Sequence, residues 1–193
     1  MNQNTLSVRP GLPANAKKVF HGIIFEVWQW DQIMFDGSTE IFEKIWRVPT
    51  VEVIAVVEDK IMIEYQDQPD RSNSITLVSG RADKSTNMLE EAQRELLEET
   101  GYGSDTWEHL FTFGSEGKLI HEVFFFIAKD CKKIAAQNLD AGEKIQTKLI
   151  SFEEFLQLSE EPKFWASTKF INFLLRLQHD EKKKNEFKKL LFS

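Results

Sequence analysis

The segment Arg94-Glu95-Leu96-Leu97-Glu98-Glu99-Thr100-Gly101-Tyr102 constrains the fold more than any other part of the chain. Its spacing predicts a helix over residues 87–100 that ends at Gly101, in the position favoured by a glycine after the last turn. At roughly 100° per residue, one quarter of its surface carries four carboxylates: Glu91, Glu95, Glu98 and Glu99. The neighbouring stripe is apolar and suited to packing on a sheet: Leu89, Ala92 and Leu96. Because like charges at this spacing repel each other, the pattern indicates a divalent cation such as Mg²⁺ or Mn²⁺.

A solvated acidic helix face is the simpler interpretation of a Glu-rich run. The pattern is more specific than that, because a glycine, Gly80, lies fourteen positions before Arg94. In this spacing the chain resembles the Nudix hydrolase family, with matching residues at Gly80, Arg94, Glu95, Leu96, Glu98, Glu99, Gly101 and Tyr102. One position departs from the family motif, because Thr86 stands where the family has its first glutamate. Thr86 or Asn87 instead offers an N-cap, and Glu90 completes a capping-box-like pattern with Asn87.

The resemblance implies an α+β fold, a Nudix-type αβα sandwich with a mixed sheet, and Mg²⁺ or Mn²⁺ as cofactor. Its implied metal ligands are the Ser79 carbonyl, Glu95, Glu98 and Glu99. Glu95 and Glu99 rank first because they lie one helical turn apart. Arg94 joins the catalytic group by orienting these carboxylates through salt bridges. Glu143, in a later loop, is implied as a further metal ligand or as the general base, and Glu98 is the other catalytic carboxylate. An exposed loop acid is the alternative for Glu143.

Composition sets the broad class of the protein. The chain has 193 residues with 41% hydrophobic content, including 16 Phe and 5 Trp, which suits one globular domain with appendages. Its net charge of −7 argues against a nucleic-acid-binding surface. The single Cys131 excludes an internal disulfide. Neither a secretory h-region nor an apolar run of membrane-spanning length is present, so we expect no stable membrane insertion and a cytoplasmic location.

Turn signals and hydrophobic periodicity divide the chain into four parts: a flexible arm (1–16), a β-hairpin (17–49), the Nudix domain (50–178) and a basic amphipathic tail (179–193). The hairpin is predicted to turn at Asp36-Gly37, and a second tight turn is predicted at Glu58-Asp59-Lys60. Pro162 is predicted to open a helix that runs to Gln178 and buries Phe164, Trp165, Ile171, Leu174 and Leu175. The tail either lies on an anionic membrane or, as we favour, packs its apolar side on its own domain or on a partner chain.

The hairpin, core and C-terminal helices, over roughly residues 19–178, resemble the ADP-ribose and sugar-nucleotide pyrophosphatase branch of the family. That likeness implies a homodimer and a nucleotide-type substrate. Trp28 is then a base-stacking residue or a packing residue, and Arg47 a phosphate contact or a surface charge. Gly80 and Arg81 are assigned to the substrate loop. Gln68 stands where the branch commonly carries a phosphate-binding arginine, and four cations are candidates to replace that charge: Arg71, Arg81, Lys84 and Lys118.

The sequence therefore predicts a Mg²⁺-dependent pyrophosphatase for a nucleoside diphosphate linked to another moiety, such as ADP-ribose or a sugar nucleotide. A nucleoside triphosphate pyrophosphohydrolase is an alternative, which the additional N-terminal hairpin disfavours. A Nudix-fold nucleotide-binding or sensing module with little catalysis is a third possibility, motivated by Thr86 and by the changed substrate segments.

Overall fold

A computed structural model describes residues 11–82, 87–114 and 116–193. The chain divides into two compact units. The first unit comprises Met1–Thr50 and Thr112–Val123, and the second comprises Val51–Phe111 and Phe124–Ser193. Among the described residues, no helix is both long enough and apolar enough to cross a bilayer.

The first unit is a four-stranded sheet made of β1 (Lys17–His21), β2 (Phe25–Ile33), β3 (Thr39–Arg47) and β10 (Leu119–Ile120), in that order. The predicted turn is present, since Gly37 has a φ of 86° and Asp36 accepts a hydrogen bond from the Ser38 amide. The predicted hairpin is larger than expected, because the first strand is divided at residues 22–24 into β1 and β2. β10 then joins β3 in parallel, so a later segment of the chain completes this sheet.

The second unit contains a larger sheet with the order β13-β5-β4-β11-β9; β6 lies beside β5 and β7 beside β4. Its strands are β4 (Thr50–Val57), β5 (Lys60–Gln68), β6 (Arg71–Thr76), β7 (Val78–Arg81), β9 (Thr106–Phe113), β11 (Val123–Lys129) and β13 (Lys144–Ile150). Two short strands, β8 (Tyr102–Gly103) and β12 (Lys132–Lys133), pair separately. The β4–β5 hairpin turns at the predicted position, where Glu58 adopts a φ of 55°.

Helices cover both faces of this sheet. On one face lies α1 (Met88–Glu95), which we call the box helix because it carries part of the motif that resembles the Nudix family. Its Ala92 packs against a buried cluster that includes Val53 and Val78, and Leu96 of the following turn belongs to the same cluster. On the other face lie α2 (Phe152–Gln157), α3 (Thr168–His179) and α4 (Glu181–Phe192). There Phe170 of α3 stacks on Phe125 of β11 at 4.7 Å between ring centroids. Alternate residues of each strand supply the two cores, which confirms the predicted α+β sandwich.

The prediction of a helix from Pro162 is wrong for its first turn. Helix α3 begins at Thr168, after Ser167 caps it by accepting a hydrogen bond from the Phe170 amide. Residues 163–165 instead extend beside β6, since the Ile75 amide donates to the Lys163 carbonyl and the Trp165 amide donates to Ile75. Phe164 and Leu174 are buried as predicted, whereas Trp165 is 67% exposed.

The basic tail folds as α4, and its apolar side packs on the same unit. Phe187 and Leu191 are buried, and the Phe187 ring lies 5.2 Å from that of Phe173. Lys188 and Glu153 of α2 form an ion pair at 3.0 Å. These contacts agree with packing of the tail on its own domain.

Candidate functional site

Helix α1 begins as the sequence predicts and then changes its hydrogen bonding. Asn87 is the N-cap, and its side chain accepts a hydrogen bond from the Leu89 amide. From Leu96 to Thr100 the helix continues with π-type spacing and ends at Gly101, whose φ is 70°. Such π segments are rare and occur frequently at functional sites. Here the segment carries Glu98 and Glu99.

The carbonyl groups at the end of this helix are bound by the segment that follows β11. The Asn138 amide donates to the Glu98 carbonyl at 2.8 Å, and Gln137 Nε2 donates to the Glu99 carbonyl at 2.6 Å. Gln137 Nε2 also reaches the Ile145 carbonyl of β13 at 3.3 Å. Gly101 is needed for close approach as well as for its φ, because a Cβ there would lie 2.3 Å from the Ala135 carbonyl oxygen.

Two box carboxylates are positioned by the backbone at the start of the substrate loop. A Cβ at Gly80 would lie 1.9 Å from Glu95 Cδ, so the Glu95 carboxyl group occupies the space that a side chain at position 80 would fill. The Ser79 amide donates to Glu99 Oε2 at 3.0 Å. The structure thus brings together Ser79, Gly80, Glu95 and Glu99, the residues that the resemblance to the Nudix family implies for the metal site and the substrate loop.

Arg94 holds three carboxylates in place. Its guanidinium contacts Glu91, Glu95 and Glu98, each at 2.6 Å. Burial opposes its charge, but these hydrogen bonds raise the pKa of Arg94 above its usual range. This geometry supports the predicted orienting role for Arg94.

Glu64 of β5 is a further carboxylate at this site, and the sequence analysis missed it. Its side chain is fully buried, and Thr76 Oγ1 donates to its Oε2 at 3.5 Å. Burial is the main cause of the raised pKa of Glu64, and the negative charge of Glu143 is the second cause. Burial and then the charge of Glu64 likewise raise the pKa of Glu99. A sequence signal was present, because a glutamate directly follows the apolar run Ile61-Met62-Ile63.

Glu143 lies in the turn before β13, where its Oε2 accepts a hydrogen bond from the Asp140 amide at 3.3 Å. Its charge acts on Glu95 as well as on Glu64 and Glu99. Burial is the main cause of the raised pKa of Glu95, against which Arg94 acts. The structure therefore places Glu143 near the box carboxylates, which we define as Glu95, Glu98 and Glu99.

The side chains gathered here are carboxylates, and carboxylate oxygens suit a hard divalent cation. One of these oxygens, Glu64 Oε1, is buried and has no hydrogen-bond partner among the described residues. In the arrangement seen here, however, Arg94 engages Glu95 and Glu98. Over residues 11–82, 87–114 and 116–193, no three Asp, Glu, His or Cys side chains are already gathered for metal binding.

A positively charged side chain lies on the adjacent β5–β6 ribbon. Arg71 Nη2 donates to Gln66 Oε1 at 3.1 Å, and its guanidinium stacks on the Trp165 ring at 4.6 Å. Arg71 Nε is buried and has no hydrogen-bond partner among the residues described. Gln68, the predicted substrate residue, pairs with Arg71 across the ribbon. Arg71 is thus a candidate cation on the strand that pairs with β5, the strand of Glu64.

The other predicted substrate residues belong to the first unit, follow Gly80 directly, or lie outside the described residues. Trp28 and Arg47 belong to the first unit, where Trp28 Nε1 donates to Glu26 at 2.9 Å. Arg47 is near His121, and burial together with the Arg47 charge lowers the pKa of His121 to about 4. Arg81 is exposed, and its carbonyl lies 3.5 Å from Arg94 Nη2.

Three further residues remain: Lys118, Lys84 and Thr86. Lys118 lies in the first unit, where its amino group is 4.1 Å from the centroid of the Phe42 ring. Thr86 and Lys84 lie outside the described residues, so the departure at position 86 has no structural account.

Comparison with known proteins places these observations in a family. The NUDIX domain family matches residues 46–171, about two thirds of the chain. The chain belongs to the Nudix family. The prediction of a Nudix enzyme is confirmed.

Two known proteins are similar to this Nudix protein. A methanol dehydrogenase activator from Bacillus methanolicus is 27% identical over 155 residues, covering 78% of this chain and 84% of that protein. A solved structure of an ADP compounds hydrolase superposes with a TM-score of 0.68 at 21% identity, over 84% of this chain and 90% of the other. The latter confirms the fold.

Proposed function

We propose that this Nudix protein hydrolyses the pyrophosphate bond of a nucleoside diphosphate linked to another moiety, of the ADP-ribose or sugar-nucleotide class. The observation that carries the proposal is the joint placement of Glu95 against Gly80 and of Glu99 on the Ser79 amide. This placement fixes two carboxylates one helical turn apart beside the substrate loop. The fold shared with a protein named ADP compounds hydrolase supports the substrate class.

The residues that would hold Mg²⁺ or Mn²⁺ are the Ser79 carbonyl, Glu95, Glu98 and Glu99. When bound, the cation would supply charge stabilisation to the phosphoryl oxygens and acidity to the attacking water. In the reaction, a water oxygen forms a bond to phosphorus, and the bond from phosphorus to the bridging oxygen breaks. The bridging oxygen leaves with the electron pair, so the products are a nucleoside monophosphate and a phosphorylated remainder.

We assign Glu143 as the group that accepts the proton of the attacking water. Glu98 is the other candidate, but its Oε2 accepts a hydrogen bond from Arg94 Nη1 at 2.6 Å, and this ion pair holds the Glu98 carboxylate in place. The carboxylate of Glu143 accepts from the Asp140 amide at a longer distance, 3.3 Å. Glu143 is thus freer to turn towards a water molecule.

Arg71 is the side chain that we assign to an anionic group of the substrate. Its guanidinium is held by Gln66 and Trp165, so it is preorganised, and its buried Nε lacks an acceptor among the described residues. Gln66 follows Glu64 by two residues on the same strand face, a distance of about 7 Å along β5. This separation is suited to a substrate that extends from the carboxylates towards Arg71.

Turnover of a nucleotide panel with Mg²⁺, with Mn²⁺ and with EDTA tests the proposal. The panel holds ADP-ribose, several sugar nucleotides, dinucleoside polyphosphates and nucleoside triphosphates. We expect metal-dependent cleavage of the nucleoside diphosphate class, with Arg71→Ala raising KM more than it lowers kcat. Cleavage confined to nucleoside triphosphates, or no cleavage at all by a folded protein, would contradict the proposal.

A regulatory or sensing role with little catalysis is the second candidate. One observation favours it: in the arrangement seen here, Glu95 and Glu98 are both engaged in ion pairs with Arg94. The name of the Bacillus methanolicus relative, methanol dehydrogenase activator, points in the same direction. Nucleotide binding by calorimetry without turnover in the panel would support this alternative.

Homodimerisation through the first unit is also a proposal. Large exposed apolar side chains are typical of a surface that a second chain covers. The strands of this sheet and the turns between them expose eight of them: Val19, Phe20, Ile23, Phe25, Ile33, Phe35, Ile41 and Ile45. Light scattering of the wild type and of an Ile41→Glu variant tests this, with a monomeric wild type as the contradicting result. The predicted cytoplasmic location stays a prediction.

A further inference from the structure

Glu64 lies in a position where an apolar residue would be expected. Its neighbours Ile61, Met62 and Ile63 on β5 are all buried. In the sheet, Glu64 lies between Thr76 of β6 and Thr147 of β13. Its own side chain has no exposed surface. A carboxyl group so far from solvent is costly unless other groups satisfy it.

The hydrogen bonds of Glu64 do not meet this cost. Thr76 Oγ1 donates to Glu64 Oε2 at 3.5 Å, which is long for a hydroxyl donor to a carboxylate. Glu64 Oε1 has no partner among the residues that the structure describes. A buried oxygen acceptor without a donor is rare in folded proteins and calls for an explanation such as an ion.

The carboxyl groups that act electrostatically on Glu64 include those of the candidate site. The charges of Glu143 and Glu95 both act on Glu64, and its own charge acts on Glu99. All of these neighbours are negatively charged. Packing a fourth carboxylate among them worsens their repulsion unless a cation lies between them.

We propose that Glu64 supplies an additional oxygen ligand, Oε1, to the divalent cation of the box carboxylates. The box motif does not contain this residue, because Glu64 precedes Gly80 by sixteen positions and lies on a different element. The inference rests on the proposed metal-dependent function. A hard cation such as Mg²⁺ or Mn²⁺ is the chemical class that a carboxylate oxygen in this setting selects.

Titration of the full-length protein with Mn²⁺, followed by electron paramagnetic resonance, tests the proposal directly. Three variants are compared with the wild type: Glu64→Gln, which keeps the shape; Glu64→Leu, which removes the polar group; and Glu160→Gln, an exposed matched control. We expect both substitutions at Glu64 to weaken Mn²⁺ binding roughly 10- to 100-fold, and the control to bind as the wild type does.

Thermal unfolding supplies a second measurement that a purely structural role would not reproduce. Without metal, we expect Glu64→Leu to unfold at a higher temperature than the wild type, because the uncompensated buried carboxylate is gone. With Mn²⁺ added, the wild type should gain more stability than Glu64→Leu, since the stabilisation that a ligand gives increases with its affinity. A Glu64→Leu variant that unfolds at a lower temperature in both conditions would overturn the proposal.

The remaining outcomes separate this inference from the proposed function. Unchanged Mn²⁺ affinity in Glu64→Gln, with or without a raised KM, would overturn the ligand assignment and leave the proposed hydrolysis intact. Wild-type protein that binds Mn²⁺ through Glu64 but cleaves no nucleotide would support the ligand assignment and contradict the hydrolysis. Wild-type protein that binds no Mn²⁺ would overturn both.

Discussion

Gly80 and Glu95 depend on each other at atomic distance. The glycine leaves the space that the Glu95 carboxyl group fills, because a Cβ at position 80 would lie 1.9 Å from Glu95 Cδ. The sequence predicts that both residues matter, since their spacing is part of the motif. Only the structure shows that the glycine is needed for packing against a carboxylate rather than for an unusual backbone angle.

Gly80→Ala should therefore act on the metal site more than on the fold. The added methyl group displaces the Glu95 carboxyl group, so we expect metal-dependent turnover to fall roughly 10- to 100-fold. The free energy of unfolding should fall by about 1–3 kcal/mol, typical of overpacking. Kinetics at saturating Mg²⁺ and urea unfolding measure the two effects. Gly114→Ala, at a position with open space around it, is the control, and equal effects of the two substitutions would contradict this account.

At the scale of elements, the end of the box helix depends on a segment far away in the sequence. Gln137 joins the Glu99 carbonyl of this helix to the Ile145 carbonyl of β13. The loop between Gln137 and Ile145 contains Glu143. One side chain thus connects the helix that carries the box carboxylates with the strand that follows the proposed base.

Gln137→Ala should loosen both connections. We expect a loss of about 1–3 kcal/mol in the free energy of unfolding, because the Glu99 carbonyl loses its donor. We also expect a fall in kcat that exceeds any change in KM, since Glu99 and Glu143 are less well positioned. Thermal unfolding and steady-state kinetics check this, with the exposed Gln157→Ala as control. A variant with wild-type kcat would show that the connection does not position the site.

Local signals predict the parts of this fold that local interactions determine. The Asn87 cap, the Asp36-Gly37 turn and the Glu58–Lys60 turn each follow from neighbouring residues, and the structure contains all three. The start of α3 does not follow from local signals. Pro162 suits a first helical turn, but the pairing of Ile75 with residues 163 and 165 keeps this segment extended.

The candidate site likewise contains residues that local signals predict and residues that they do not. The box carboxylates and Gly80 are recognisable because the motif records their spacing on one helix. Glu64, Arg71 and Gln137 come from other elements, and their roles depend on burial and long-range contacts. Glu64 gives the clearest local signal, a charge within an apolar strand, but a sequence pattern does not show which groups surround it.

At the scale of the whole molecule, buried acids make stability depend on pH. Burial raises the pKa of Glu52 on β4 to about 8. Between pH 4.5 and 8 the folded protein therefore binds more protons at this residue than the unfolded chain does, so its contribution to stability falls as the pH rises. The upper bound is about 1.4 kcal/mol per pH unit.

Glu52→Gln should remove this contribution. In EDTA, we expect the variant to gain stability relative to the wild type as the pH rises from 5 to 8, with the smallest difference at pH 5. Urea unfolding at pH 5, 6.5 and 8 measures it, and Glu160→Gln again serves as the exposed control. Stability profiles that run parallel for Glu52→Gln and the wild type would show that Glu52 ionises normally in the folded protein.

Glu99 belongs to the proposed catalytic metal site of this Nudix hydrolase, together with Ser79, Glu95 and Glu98. The most direct test compares hydrolysis of ADP-ribose by the wild type and by Glu99→Gln, with Mg²⁺ and with EDTA, after circular dichroism has confirmed that both are folded. We predict metal-dependent cleavage by the wild type and a loss of at least about 100-fold in Glu99→Gln. A folded Glu99→Gln protein that cleaves ADP-ribose at the wild-type rate would contradict the assignment.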